Sequence, residues 1–133
     1  MNQITLKIEV EVNLTEDLEK VKTAVQNLFS YPSIESTSRK QGDLLIIKAE
    51  GKDGLNKFFA LLRQERILNA ARKVFFGGLG GNLIIFYLNK QAAYVKHISF
   101  CSPVGESPLG PIKVEIICDN PKELIDWLAP RVS

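Results

Sequence analysis

Apolar and polar residues alternate without a break from Ile4 to Val12. Ile4, Leu6, Ile8, Val10 and Val12 fall on one side, and Thr5, Lys7, Glu9 and Glu11 on the other. A period of two predicts a strand with one buried face. After Asn13 to Thr15 the period changes, and Leu18, Val21, Val25, Leu28 and Phe29 make a helical stripe. Thr15 is the candidate N-cap, Glu16 and Asp17 suit the positive end of the helix dipole, and Tyr31-Pro32 closes the helix. Residues 33–38 read as a short polar strand and Gln41-Gly42-Asp43 as a turn. Leu44 to Ala49 is a continuous apolar run, the pattern of a central strand, which predicts a hairpin of 33–38 with 44–50.

The next helical region holds two stripes. Leu55, Phe58, Phe59 and Leu62 share one face; Ile67, Leu68, Ala71, Val74 and Phe75 share another. At about 100° per residue the two faces point nearly opposite ways, so one straight helix cannot bury both against one sheet. A break is therefore predicted between Arg63 and Arg66, with Arg66 and Lys73 together on the exposed side of the second helix. Leu83 to Leu88 is an apolar strand with few polar positions, either central or part of a subunit interface. Residues 89–93 read as a turn or short helix, Val95 to Cys101 as an alternating strand, and 102–111 as a Pro/Gly loop. Ile112 to Cys118 is the last strand. A final helix follows, capped by Asp119 or Asn120, with Pro121 in its first turn and a stripe of Leu124, Ile125 and Leu128. The predicted fold over residues 1–133 is a single α+β domain. It is a two-layer sandwich with a mainly antiparallel, or mixed, sheet and helices packed on one face.

Composition changes this picture little: 45% apolar and 24% charged residues in 133 are ordinary globular values. The N-terminal stretch MNQITLKIEVEV lacks the pattern of a signal peptide, and no apolar run approaches the ~18 residues of a membrane span. The two cysteines, Cys101 and Cys118, then read as free thiols of a cytoplasmic protein. Charge is more informative. Residues 51–90 carry seven Lys/Arg against two Asp/Glu, whereas the flanking segments carry six against eight and four against five. The whole positive excess thus sits in the middle, which is either a nucleic-acid surface or a solvated helix face.

The glycine run Gly77, Gly78, Gly80 and Gly81 fits no phosphate-loop template. G-x-x-x-x-G-K-[ST] needs a lysine where Asn82 stands, and G-x-G-x-x-G needs a glycine where Leu83 stands. The run also follows a helix, so helix termination by a left-handed glycine is the better reading. One histidine, His97, and no C-x-x-C pair argue against a metal site, and no nucleophile elbow supports an enzyme or a cofactor. What remains is the basic surface. Arg63, Arg66, Arg72, Lys73 and Lys90 flank the glycine loop, arginine forks suit phosphate oxygens, and Tyr87 or Tyr94 could stack on a base.

Three blocks carry a resemblance: LLRQERILNAARK (61–73), GNLIIFYLNKQAAYV (81–95), and SPLGPIKVEI (107–116) followed by NPKELIDWLAPR (120–131). Together they are similar to a family of small archaeal proteins of unassigned function. Its members are grouped as predicted RNA-binding proteins, with a fold similar to that of a large-subunit ribosomal protein of the L-five type. The resemblance runs over nearly the whole chain and implies an archaeal, cytoplasmic protein with RNA as its partner. The candidate contact residues are Arg63, Arg66, Arg72, Lys73, Gly80, Gly81, Asn82, Lys90 and Gln91. Structural roles stand beside these: Arg66 bonding carbonyls freed at the helix break, and Arg72 pairing with Asp126. This chain departs from the family in Gly78-Leu79-Gly80, where a charged residue is usual, and in Lys96, where glycine is frequent. The alternatives to RNA binding are a homodimeric interaction module and, last, an enzyme on a small phosphorylated ligand.

Overall fold

The computed structural model describes residues 3–31, 33–39, 42–103 and 110–132. The alternating start forms β1 (Ile4–Asn13), followed by α1 (Leu18–Leu28) and the hairpin of β2 (Ser33–Arg39) with β3 (Gly42–Glu50). A 3-10 turn (Lys52–Leu55) leads into α2 (Asn56–Gln64) and α3 (Leu68–Gly77). Then come β4 (Leu79–Gly80), β5 (Leu83–Leu88), α4 (Lys90–Tyr94), β6 (Ile112–Cys118) and α5 (Pro121–Leu128). The strands join in the order β2-β3-β1-β6-β5-β4, and every neighbouring pair is antiparallel. The open antiparallel sheet with helices against it is an α+β sandwich. Among the described residues no helix is long and apolar enough to cross a membrane.

All described helices lie on one face. Ile4, Leu6, Ile8 and Val10 of β1, Leu45 and Ile47 of β3, Ile84 and Phe86 of β5, and Val114 and Ile116 of β6 are buried with residues of α1, α2, α3, α4 and α5 in one cluster. A chain of rings runs through it: Phe29 stacks on Phe58 at 5.0 Å, Phe58 on Phe86 at 5.6 Å, and Phe75 tilts against Phe86 at 4.9 Å. Such contacts add specific geometry to the burial of large apolar area. The opposite face alternates charge in its centre. Lys7 pairs with Glu9 at 3.1 Å and Lys113 with Glu115 at 3.0 Å, while Lys7 is registered beside Glu115 and Glu9 beside Lys113.

The structure departs from the sequence pattern at several points. Asp17, not Thr15, caps α1: its Oδ1 accepts from the Glu19 N–H at 2.9 Å. The chain first turns through 13–16, where the Glu16 carboxylate is held by the Asn13 backbone N–H (3.0 Å) and side-chain amide (2.7 Å). β3 is second from the edge rather than central. Gly42 and Asp43 already belong to β3, and Gln41 lies outside the described residues. Val95–Cys101 is not a strand. It makes only an isolated bridge, Leu88 to Phe100, because the Ile98 N–H donates to the Glu65 carboxylate (2.9 Å) instead of to a neighbouring strand. Of the 102–111 loop, residues 104–109 lie outside the described residues.

The break between the two middle helices is present, but Arg66 sits in the break and not on α3. The glycine run also works differently from expectation. Gly78 ends α3 at φ −99°, outside the left-handed region, and the left-handed glycine is Gly81 (φ 59°). With Asn82 it makes the two-residue turn of the β4–β5 hairpin, where Gly80 faces Leu83. A positive φ at the first of two turn residues matches the twist of the flanking strands. Gly78 is needed for space: a Cβ there would stand 1.9 Å from the Ile85 carbonyl oxygen.

Candidate nucleic-acid interface

The cations of the middle segment divide by what they touch. Arg63 lies over the Phe59 ring, 3.4 Å from its centroid. Its Nη1 donates to the carbonyls of Phe59 (3.0 Å) and Leu128 (3.1 Å), and its Nη2 to that of Trp127 (3.1 Å). The guanidinium thus closes the C-terminal end of α5, where the helix dipole is negative. Burial pushes its pKa below the usual arginine value. Arg72 pairs with Asp126 at 2.7 Å and also donates to the Ala129 carbonyl at 3.3 Å. Both arginines therefore fasten α5 to the helices before it.

Lys90 is turned inward and only 5% exposed. Its ammonium donates to the Glu16 carboxylate at 2.9 Å and to the Glu11 carbonyl. Burial alone would raise the Glu16 pKa. The bonds from the Asn13 backbone, Lys90 and the Asn13 side chain outweigh it and hold the carboxyl below 4.5. Gln91, the next residue, is exposed beside α1. Gly80, Gly81 and Asn82 are exposed at the hairpin on the sheet's far edge. Beside that hairpin is a depression of about 490 Å³ whose lining includes Val74, Leu79, Leu83 and Tyr87.

Arg66 and Lys73 are exposed. Arg66 has φ 58°, and its N–H donates to the Arg63 carbonyl at 3.1 Å while the Ile67 N–H donates to Leu62 at 3.1 Å. These are the two reversed bonds of a Schellman ending, with arginine where glycine is usual. The end of α4 repeats the arrangement. Lys96 has φ 65°, its N–H donates to Ala93 at 3.0 Å, and the His97 N–H donates to Ala92 at 2.9 Å. One carboxylate ties the two turns together: Glu65 accepts from the Ile98 N–H at 2.9 Å and lies 3.0 Å from His97 Nδ1. Two exposed cations, Arg66 and Lys96, are thereby presented on adjoining turns. Lys96 stands outside the candidate contact residues of the sequence. The glycine frequent at its position in the resembling family is the sequence signal of a left-handed turn.

Of the nine candidate residues, then, Arg63 and Arg72 converge on α5. Lys90 and Gln91 meet α1 just after β5, and Gly80–Asn82 lie at the other end of that strand, on the β4 edge. Lys73 is exposed on α3, and Arg66, in the break before it, is joined instead by Lys96.

A family model described as RNA binding matches residues 5–117. A UPF0201 protein of Sulfurisphaera tokodaii is 47% identical over 126 residues, which are 95% of this chain and 87% of that protein. One from Saccharolobus solfataricus is 42% identical over 132 residues, 98% of this chain and 90% of its own length. The crystal structure of a UPF0201 protein from Methanococcus jannaschii superposes with a TM-score of 0.86 at 33% identity, covering 97% of this chain and 95% of that one. A DUF54 protein from Methanothermobacter thermautotrophicus shares the fold at 18% identity, with a TM-score of 0.61 over 96% of this chain and 98% of its own.

Proposed function

Because the chain belongs to the archaeal UPF0201 family, and its residues 5–117 match the model described as RNA binding, we propose that it is a cytoplasmic RNA-binding module. That match carries the reading. The exposure of Arg66, Lys73 and Lys96 supports it, since cations that reach water can neutralise phosphates. Arg63, Arg72 and Lys90 act from behind, by holding the helices that present the surface.

The test is fluorescence anisotropy with single-stranded and structured RNA, from low salt to about 200 mM. Affinity should fall with salt, and Arg66→Ala/Lys73→Ala should flatten the slope by about 0.7 to 0.9 per lost contact. No binding at the lowest salt would dispose of the reading.

A second reading is self-association through the sheet face that the described helices leave uncovered. Leu83, Ile85 and Tyr87 are only half-buried there and Ile117 is 46% exposed. The alternating Lys7, Glu9, Lys113 and Glu115 can meet their own two-fold copies with opposite signs facing. Sedimentation at micromolar concentration decides it, and a clean monomer removes it.

A further inference from the structure

Between α1 and α4 lies a cleft of about 360 Å³. One wall is a single side of α1, since Asp17, Lys20, Val21 and Ala24 are spaced at helical intervals; the other is Gln91 and Tyr94 of α4. The two helices are fastened at both ends of this gap. At one end Lys90 is bonded to Glu16 and Glu11. At the other the Asn27 amide donates to the carbonyls of Ala93 and Tyr94, at 3.0 Å each. The opening between is therefore built into the packing. Buried Val21 and Ala24 give its floor an apolar part, with buried Lys90 and its partner Glu16 lining it beside them. Its rim is polar and exposed, and Tyr94, 44% exposed, supplies an aromatic wall.

We infer that this cleft takes an unpaired RNA base, stacked on Tyr94, with the backbone running outward over Lys96. The inference rests on the RNA-binding reading and gives it a location. A partly apolar floor, an aromatic wall and a few polar rim groups are what a flat heteroaromatic ring with hydrogen-bonding edges requires. In the lining Glu16 and Asp17 offset Lys20 and Lys90, so the cleft offers a phosphate no net positive charge, whereas the Gln91 amide offers both a donor and an acceptor to a base edge. The phosphates belong outside, where cations stand. Lys20 is on the rim, and past Tyr94 the chain exposes Val95 (58%), then Lys96 and, across Glu65, Arg66. Bases inside a duplex are stacked on each other and cannot enter, so the site selects single strands, loops or bulges.

The experiment compares a single-stranded oligoribonucleotide carrying 2-aminopurine with its duplex, on the unmodified protein, Tyr94→Ala and Tyr94→Phe. Tyr94→Ala should weaken single-strand binding by about 5- to 150-fold and abolish the fluorescence quenching that stacking causes. Tyr94→Phe should keep both, and duplex binding should be the same for all three. Tyr94 holds α4 to Asn27 through its backbone carbonyl, which every variant retains. Single-strand binding unchanged by Tyr94→Ala overturns the base site while leaving RNA binding intact. Absence of binding to either RNA overturns the reading beneath it. Displacement by adenosine monophosphate at concentrations matching the oligomer would assign the cleft to a free nucleotide and overturn the RNA site.

Discussion

Arg66 and Lys96 hold a backbone conformation that suits glycine, and each is an exposed cation. A left-handed residue with a side chain costs about 1–2 kcal/mol. Lys96→Gly should therefore raise stability by up to about 1 kcal/mol, moving the urea midpoint up at constant m-value. Arg66→Gly should do the same while weakening RNA, which separates the two roles of that position. The break itself was legible, because two apolar stripes pointed opposite ways. Arg66 at the break, bonding a freed carbonyl, is one of the two sequence readings; that it does so through its backbone N–H in a left-handed conformation is not legible, since arginine carries no turn signal. The sequence shows Lys90 as one more surface cation because Glu11 and Glu16 are more than seventy positions away and reach it only through the packing of α4 on α1. Glu16→Gln removes the negative partner of a buried ammonium and should cost about 3 kcal/mol. The sign with pH follows from the lowered carboxyl. Its stabilisation is full above about 4.5, its ordinary value, and is lost as pH falls through the lower folded value. Urea unfolding from pH 7 to pH 3 should show an acid loss that Glu16→Gln reduces.

At the scale of elements, two neighbouring glycines have opposite meanings. A Cβ on Gly78 would collide with the Ile85 carbonyl, where β5 passes the end of α3; a Cβ on Gly77 meets nothing within 4 Å. Gly78→Ala should destabilise by about 1–3 kcal/mol, and Gly77→Ala, in the last turn of a helix, should stabilise by about 0.5 kcal/mol. Thermal unfolding of the two single variants checks the pair. The sequence marks both only as glycine after a helix, so neither the close approach nor the Gly81 turn could be told apart beforehand. Alternation misled at Val95–Cys101 for a related reason. A period of two reports which side chains face inward, not whether a backbone N–H finds a strand; here Glu65 took the one at Ile98. Where elements were bounded by strong patterns and local caps, as in β1, β6 and α5 with Pro121 at its start, sequence and structure agree.

For the whole molecule, the two-layer arrangement followed from strands at the start, middle and end with amphipathic helices between. The layering puts the proposed RNA surface and the uncovered sheet face on opposite sides. The two should therefore be separable. Ile117→Lys is expected to abolish any self-association seen by sedimentation while leaving RNA affinity intact. A parallel loss of both would mean that the dimer, not the protomer, binds.

The strand order β2-β3-β1-β6-β5-β4 also bears on the birth of the protein. β1 leaves the ribosome before the other strands of this sheet, yet one of its two edges is paired by β6, whose partners for Ile4 to Val10 are Cys118 to Ile112. Until more than a hundred further residues have been made, that edge is bare, in a chain that can already close β1 on β3. Contacts so distant in sequence place folding toward the slow, millisecond-to-second end of the range for small domains. The nascent chain thus carries an open β-edge while the residues between β1 and β6 are made, and whatever shields it then contributes to the yield of folded protein.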